Sequence, residues 1–375
     1  MKLEKKISDL HTIGEDQPIF TIAEIGLNHN NDIKIAKKMI DVAKNSGFSS
    51  VKFQNFSTDD VYVGDGKSGK YQLLGKEIDI YNLHKDLEIS FEMLTECKKY
   101  SESKGMDFFS APIGMKPLQS LIDLNVNLIK ISSYEISDIP FVTSVAETKI
   151  PVIMSTGAAT LAEVDSAINV ISKFHENISL MHCITKYPAE FNEANLNAMR
   201  TLKATFGLPV GFSNNGFRNH QGKIDYLEVP TAAAKLGCDL YEVHITLDRS
   251  MDGVDQGFSC EPGELEEMIS SMKSVRSKLL DDESYSEVND IFLGSGKIEC
   301  SDCERYVRDF AYKSIYAIRD IKKGEKISQE NIRCLRPGEH VRGLEPKFYN
   351  LLISEAKASH NIKAFQPIEW KTVLY

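Results

Sequence analysis

Between Phe20 and Leu280, short apolar runs alternate with longer stretches in which apolar residues recur every three or four positions. The short runs predict eight strands: Phe20–Ile25, Ser50–Gln54, Asp107–Ser110, Leu128–Ser132, Val152–Ser155, Ser179–Cys183, Val210–Ser213 and Leu240–Ile245. The longer stretches predict helices between them. Asp32–Ser46 carries Ile35, Met39 and Ala43 on one face and stops at Gly47. Leu161–Phe174 and Glu264–Leu280 repeat the pattern, the last opening at Glu261-Pro262-Gly263-Glu264. Eight strand–helix units in series predict an α/β fold closed as a TIM (β/α)8 barrel rather than an open sheet.

Three of these strands end in polar chemistry. Glu24 lies in Phe20-Thr21-Ile22-Ala23-Glu24-Ile25, Lys52 and Gln54 in Val51-Lys52-Phe53-Gln54, and Lys130 in Lys130-Ile131-Ser132-Ser133-Tyr134-Glu135. Charged side chains end apolar strands when those ends share a pocket, and the C-terminal ends of barrel strands open onto one face. Two desolvated ammonium groups there suit an anionic substrate, beside carboxylates at a reacting centre.

One connection, Phe56 to Ile89, is too long for a simple turn and carries Gly64, Gly66, Gly69 and Gly75, which reads as a lid or specificity element. Asp281 to Arg308 is polar and serine-rich, as a linker is. Beyond it, strands over Ser314–Arg319 and Ile332–Leu335, a break at Arg336-Pro337-Gly338 and a helix from Pro346 to Ala356 predict a small β-rich unit. The expected division is a barrel over 1–285, a linker over 286–308 and the small unit over 309–375. A unit that small has a modest core and leans on its own barrel or on a partner's.

Of 375 residues, 42% are hydrophobic and 26% charged, enough for a large core. The formal net charge of −10 argues against a broad nucleic-acid or anionic-membrane surface, though not against a small anionic substrate. No apolar run reaches the roughly twenty residues of a membrane helix. The charged start, Met1-Lys2-Leu3-Glu4-Lys5-Lys6, is not a secretion signal, and seven scattered cysteines read as reduced thiols in a cytoplasm. Cys300-Ser301-Asp302-Cys303 is a lone CxxC without further ligands close in sequence.

Taken in order, Ala23-Glu24-Ile25-Gly26-Leu27-Asn28-His29-Asn30, Val51-Lys52-Phe53-Gln54, Lys130 to Glu135, Ser155-Thr156-Gly157-Ala158-Ala159-Thr160, His182-Cys183, Tyr187-Pro188, His244 to Arg249 and Arg336-Pro337-Gly338 span almost the whole chain. In these stretches it resembles the bacterial sialic acid synthases and their nonulosonic-acid relatives. That resemblance implies a phosphoenolpyruvate-dependent barrel followed by a SAF (antifreeze-like, β-clip) domain. It implies condensation of phosphoenolpyruvate with an open-chain N-acylated amino sugar, giving a nine-carbon 2-keto-3-deoxy acid and phosphate by carbon–oxygen cleavage. It also implies a divalent cation, Mn2+ or Mg2+, and a domain-swapped homodimer.

Carried onto this sequence, the resemblance makes Glu24 the acid/base and Glu135 a second carboxylate near the sugar aldehyde. Lys52 and Lys130 become the phosphoenolpyruvate clamp. Ser110, Ser133, Thr185 and Ser213 are hydroxyls suited to phosphate oxygens or, equally, to capping. Gln54, Tyr187 and Asp255 match sugar-contacting positions. Phe310 and Arg336 belong to the small domain, and the arginine is expected in a neighbouring subunit's site. His244 becomes a metal ligand.

The second metal histidine of the family is replaced: the chain reads Ser213-Asn214-Asn215, then a longer segment containing His220. Three readings stay open. His220 folds back as a surrogate, Asn215 ligates through its carbonyl oxygen, or metal binding is impaired. Rival functions are a related phosphoenolpyruvate–aldose synthase, against which the C-terminal domain speaks, and a non-catalytic barrel. The sugar is open between N-acetylmannosamine, its 6-phosphate and a diacetamido-trideoxyhexose.

Overall fold

A hairpin of β1 (Glu4–Lys6) and β2 (Thr12–Gly14) precedes the barrel in the computed structural model, which describes residues 4–64, 69–73, 76–281 and 287–374. The expected pattern began only at Phe20, and the hairpin has a packing role that a three-residue strand does not announce. Its Ile7 and Ile13 join Phe20, Ile22, Phe109, Leu128, Ile153, Met181 and Leu240 in a cluster that fills the N-terminal end of the barrel. Buried Arg276 holds the following turn by donating to the carbonyls of Gly14, Glu15 and Gln17.

The chain then runs β3 (Phe20–Gly26), α1 (Ile33–Asn45), β4 (Ser50–Phe56) and α2 (Thr58–Val61). The hairpin β5 (Lys70–Leu73) and β6 (Lys76–Asp79) leads into α3 (Ile80–Leu87) and α4 (Phe91–Ser103). Next come β7 (Asp107–Ile113), α5 (Met115–Asp123), β8 (Ile129–Ile131), α6 (Ile139–Glu147), β9 (Val152–Ser155), α7 (Leu161–Ile171) and β10 (Ile178–Cys183). The short strands β11 (Ala189–Glu190) and β13 (Phe217–Arg218) pair beside the barrel, on either side of α8 (Asn197–Phe206) and β12 (Val210–Asn214). The ring ends with α9 (Glu228–Lys235), β14 (Leu240–His244) and α10 (Pro262–Asp281).

Strands β3, β4, β7, β8, β9, β10, β12 and β14 form a closed barrel in that order, all parallel. All eight expected strands are present. The β4–β7 pair runs longer than expected, because register is kept from Ser50 opposite Asp107 to Phe56 opposite Ile113. Helix α1 shows how the outer layer packs. Asp32 caps its start, and Ala36, Met39, Ile40 and Ala43 are buried against the strands.

The segments read as a lid and as a linker both contain regular structure. The long connection after β4 contains α2, the β5–β6 hairpin and α3; of its glycines, Gly66 and Gly75 lie outside the described residues. The serine-rich stretch after α10, part of which also lies outside them, ends in helix α11 (Arg305–Ala311). Ser301 caps the turn before it reciprocally with Glu304.

The small unit holds β15 (Ser314–Ala317), β16 (Ile332–Leu335), α12 (Tyr349–Glu355), β17 (Lys357–Ala358) and β18 (Val373–Leu374). Both strand pairs are antiparallel, around a core that includes Ile315, Ile321, Ile327, Ile332, Leu352, Ile362 and Ile368. This unit sits on the C-terminal mouth of its own barrel. The backbone N–H of Arg336 donates to Val61 at 2.7 Å, and Val307, Phe310 and Ala311 share an apolar cluster with Leu27, Phe56, Tyr62 and Ile80. Among the described residues no helix is long and apolar enough to cross a membrane.

Candidate active site

The strand tips of the barrel surround a cavity of about 180 Å3. Its floor is ionic. Lys52 Nζ lies 3.0 Å from Glu24 Oε2 and 3.3 Å from Glu242 Oε1, while Lys130 Nζ lies 2.6 Å from Glu242 Oε2. Gln54 donates to Glu24 and Ser213 to Glu242, each at 3.0 Å. Register explains the convergence: Glu24 is opposite both Lys52 and His244 on neighbouring strands, and Glu242 is opposite Ser213.

A shift of register between Glu24 and Gly26 sharpens it. Gly26 has φ +54°, and a Cβ there would lie 3.3 Å from Glu24 Oε1, 3.4 Å from Asp255 Oδ2 and 3.5 Å from Gln54 Nε2. The left-handed backbone favours glycine, and a side chain there would press against the meeting point of these three groups.

Charge is balanced within the floor, two lysines against two glutamates. Burial alone would raise the Glu242 pKa, but Lys130 and Lys52 outweigh it and hold the group at about 2. Burial and Glu242 raise Glu24, against the pull of Lys52. For Lys52, Glu24 and Glu242 outweigh burial and raise the pKa, whereas for Lys130 burial prevails and lowers it. Glu242 was not among the expected site residues, although its two-residue spacing from His244 puts both on the inner face of β14.

His244 and Asp255 line the same cavity, with Nδ1 and Oδ2 3.7 Å apart. His244 Nδ1 is buried without a hydrogen-bond partner among the described residues, and burial lowers the pKa of the ring. Asn215 also lines the cavity. Its amide nitrogen donates to the carbonyl of Ile184 at 2.9 Å, which leaves its oxygen as the remaining polar atom. Among the described residues no three His, Cys, Asp or Glu side chains form a ready-made cluster. The orphaned imidazole nitrogen, with a carboxylate and an amide oxygen near the same cavity, nevertheless fits a hard divalent cation.

His220 does not fold back. It is exposed and packs edge-on against Phe191, because residues 219–223 close a turn of their own.

Three more expected residues lie outside the cavity lining. Ser110 donates its hydroxyl to the Phe53 carbonyl at 2.7 Å. Thr185 is bound to Glu304: its N–H and hydroxyl, with the N–H of Ala158, converge on Oε1 at 2.8, 3.0 and 2.9 Å. Glu135 is fully buried in ion pairs with Arg336, at 3.0 Å, and Lys313.

Ser133, Tyr187, Phe310 and Arg336 do line the cavity, and Tyr187 shares a 2.8 Å hydroxyl contact with Tyr134. Sequence reasoning missed Ser132 and Ser155. Their buried hydroxyls lack partners among the described residues and line the cavity, as does Arg336 Nε. Ser132 sits two residues after Lys130, a spacing that would have pointed to it.

Arg336 reaches the mouth of the barrel of the same chain. Its guanidinium lies over the Tyr134 ring at 5.0 Å and the Tyr62 ring at 5.9 Å. Apolar Leu27, Ile80, Leu83, Val254, Val307 and Phe310 line the cavity together with the polar side chains of Tyr62, His84 and Tyr134.

Known proteins agree with this architecture. A spore coat polysaccharide biosynthesis protein, SpsE, of Bacillus subtilis is 34% identical over 97% of this chain and 95% of its own length. The N,N'-diacetyllegionaminic acid synthase of Legionella pneumophila is 32% identical over 100% of this chain and 99% of its own. The crystal structure of the B. subtilis spore coat protein superposes with a TM-score of 0.87 and 32% identity, covering 99% of both chains. Residues 39–284 match the NeuB family and residues 312–374 the SAF domain. With its barrel, its ionic floor and its C-terminal unit accounted for, the chain belongs to the NeuB family and carries a SAF domain.

Proposed function

We propose that this chain joins phosphoenolpyruvate to an open-chain N-acylated amino sugar, releasing phosphate and a nine-carbon 2-keto-3-deoxy acid. The observation that carries this reading is the meeting of Lys52, Lys130, Glu24 and Glu242 beneath one cavity, with unpartnered hydroxyls of Ser132 and Ser155 beside them. A triply charged anion entering there exchanges with the carboxylates for the two ammonium groups and gains the free hydroxyl donors.

Carbon 3 of phosphoenolpyruvate bonds to the aldehyde carbon, and the aldehyde oxygen takes up a proton. Water then adds to carbon 2 with loss of one proton, and the remaining hydroxyl proton is lost as phosphate departs, leaving the ketone. Glu24 is the group to accept the proton of that water, since burial raises its basicity while Gln54 and Lys52 fix its two oxygens. Asn215, Asp255 and His244 would hold Mn2+ or Mg2+, which polarises the aldehyde oxygen when bound. The small domain shields the reacting groups from water within one chain, and the free cysteines suit a reducing cytoplasm.

For the sugar, we favour a diacetamido-trideoxyhexose. Six apolar side chains line the cavity, and Arg336, the cation that the small domain supplies, is already paired with Glu135. A methyl at carbon 6 and acyl methyls gain from that wall, whereas a 6-phosphate would bury a dianion against it. The legionaminic acid synthase similarity supports the same choice.

The test is phosphate release from phosphoenolpyruvate with Mn2+ and a panel of sugars, the acid product being identified by mass. The diacetamido-trideoxyhexose should exceed N-acetylmannosamine and its 6-phosphate by at least about tenfold in kcat/KM. Preference for the phosphorylated sugar would overturn the substrate assignment, and no release with any sugar would overturn the reaction.

A further inference from the structure

Lys313 has no part in the chemistry above, yet it is among the most buried cations of the molecule, 2% exposed. It stands just before β15. The pairing that puts Ser314 opposite Leu335 places Lys313 and Arg336 together at one end of the β15–β16 ribbon. Both cations point at barrel carboxylates. Arg336 Nη2 takes Glu135 Oε1 at 3.0 Å, and Lys313 takes Glu135 Oε2 and, at 2.9 Å, Asp138 Oδ2. Asp138 is in turn the N-cap of α6 and accepts the N–H of Phe141. All four groups are buried, and their charges sum to zero.

The arrangement divides the oxygens of Glu135. With Lys313 on Oε2, the guanidinium meets Glu135 through Oε1 alone rather than through the two-bond fork it commonly makes with a carboxylate. Its Nε is left buried, unpartnered among the described residues, in the lining of the cavity.

We propose that Lys313 is a positioning residue for sugar recognition, which by holding one oxygen of Glu135 turns the Nε of Arg336 toward an oxygen acceptor of the sugar. The inference rests on the reading of this cavity as a sugar site. It differs from a docking role, since what it fixes is the rotation of one guanidinium.

Two variants test it. Lys313→Met removes the ammonium, and a crystal structure of it should show Arg336 bridging both oxygens of Glu135 with Nε withdrawn from the cavity. The sugar KM should rise about 10- to 100-fold, as for loss of one charged hydrogen bond, with the phosphoenolpyruvate KM within about twofold. Asp138→Asn added to Lys313→Met restores charge balance. It should recover the melting temperature but keep the raised sugar KM and the bridging guanidinium.

An unmoved guanidinium in either variant overturns the proposal. So does recovery of the sugar KM along with stability, which a purely structural cation would give. The guanidinium geometry is read without turnover, so a wild-type protein inactive on every sugar would overturn the functional reading and leave this test standing.

Discussion

Lys130 and Glu242 meet at 2.6 Å on the barrel floor, both almost wholly buried, so the group that is to hold an incoming anion is already held by an internal one. Removing the carboxylate should favour the anion. Glu242→Gln is expected to bind phosphoenolpyruvate about three- to tenfold tighter by calorimetry, since two ammonium groups then face one remaining carboxylate. Turnover should fall at least about a hundredfold, because the lysines lose the partner that aligns them. Weaker anion binding in this variant would mean that Glu242 serves the clamp rather than competing with it.

Arg336 completes the mouth of its own chain's barrel. Glu24→Gln and Arg336→Ala should each be nearly inactive, the first while still binding phosphoenolpyruvate. Unfolding the two together and refolding the mixture should regain no activity, because no site then has both an intact barrel and an intact arginine. Regained activity would show that arginines are exchanged between subunits.

Asn215 faces the cavity beside His244, and His220 does not. His220→Ala should therefore leave Mn2+ affinity unchanged. Asn215→Ala should weaken it several-fold, and Asn215→His should shift preference toward Zn2+, because imidazole is the softer donor. Titration calorimetry with each metal decides among these outcomes.

Arg308 ties α11 to the barrel through Glu163 at 2.7 Å and the carbonyl of Ala158. Burial would raise the Glu163 pKa, but Arg308 and the N–H and hydroxyl of Thr160, which donate to it, outweigh burial, and the folded-state value lies below the ordinary 4.5. A carboxylate depressed on folding stabilises above its unfolded pKa and loses that contribution as pH falls through the folded value. Glu163→Gln should thus cost about 1 kcal/mol near neutrality, the discount for partial exposure included. The gap to wild type should close below pH 4.5. Urea melts at several pH values measure it, and a gap independent of pH would assign the cost to packing.

The barrel was legible because buried parallel strands are written as local apolar runs, and because inward-facing residues recur at every second position. Glu24, Lys52, Lys130 and His244 follow that rule and do meet. What could not be read depends on partners far away in the chain. Thr185 looked like a phosphate hydroxyl until Glu304, 119 residues on, took its donors. Glu135 stood at a strand end like the others, but its oxygens are claimed by Lys313 and Arg336 from the other domain. The N-terminal hairpin escaped notice because two three-residue strands have no periodicity to detect.

The grip of Glu304 on Ala158 and Thr185 bears on how the two halves could ever be separated. A chain cut off after α10 would strand three inward donors in two loops of the barrel rim, with only solvent to satisfy them. Those loops would relax, and the shortened protein would be a barrel with a frayed rim rather than a smaller catalyst. Evolution could therefore trade everything after α10 for another unit only if the newcomer brought its own acceptor to the same spot.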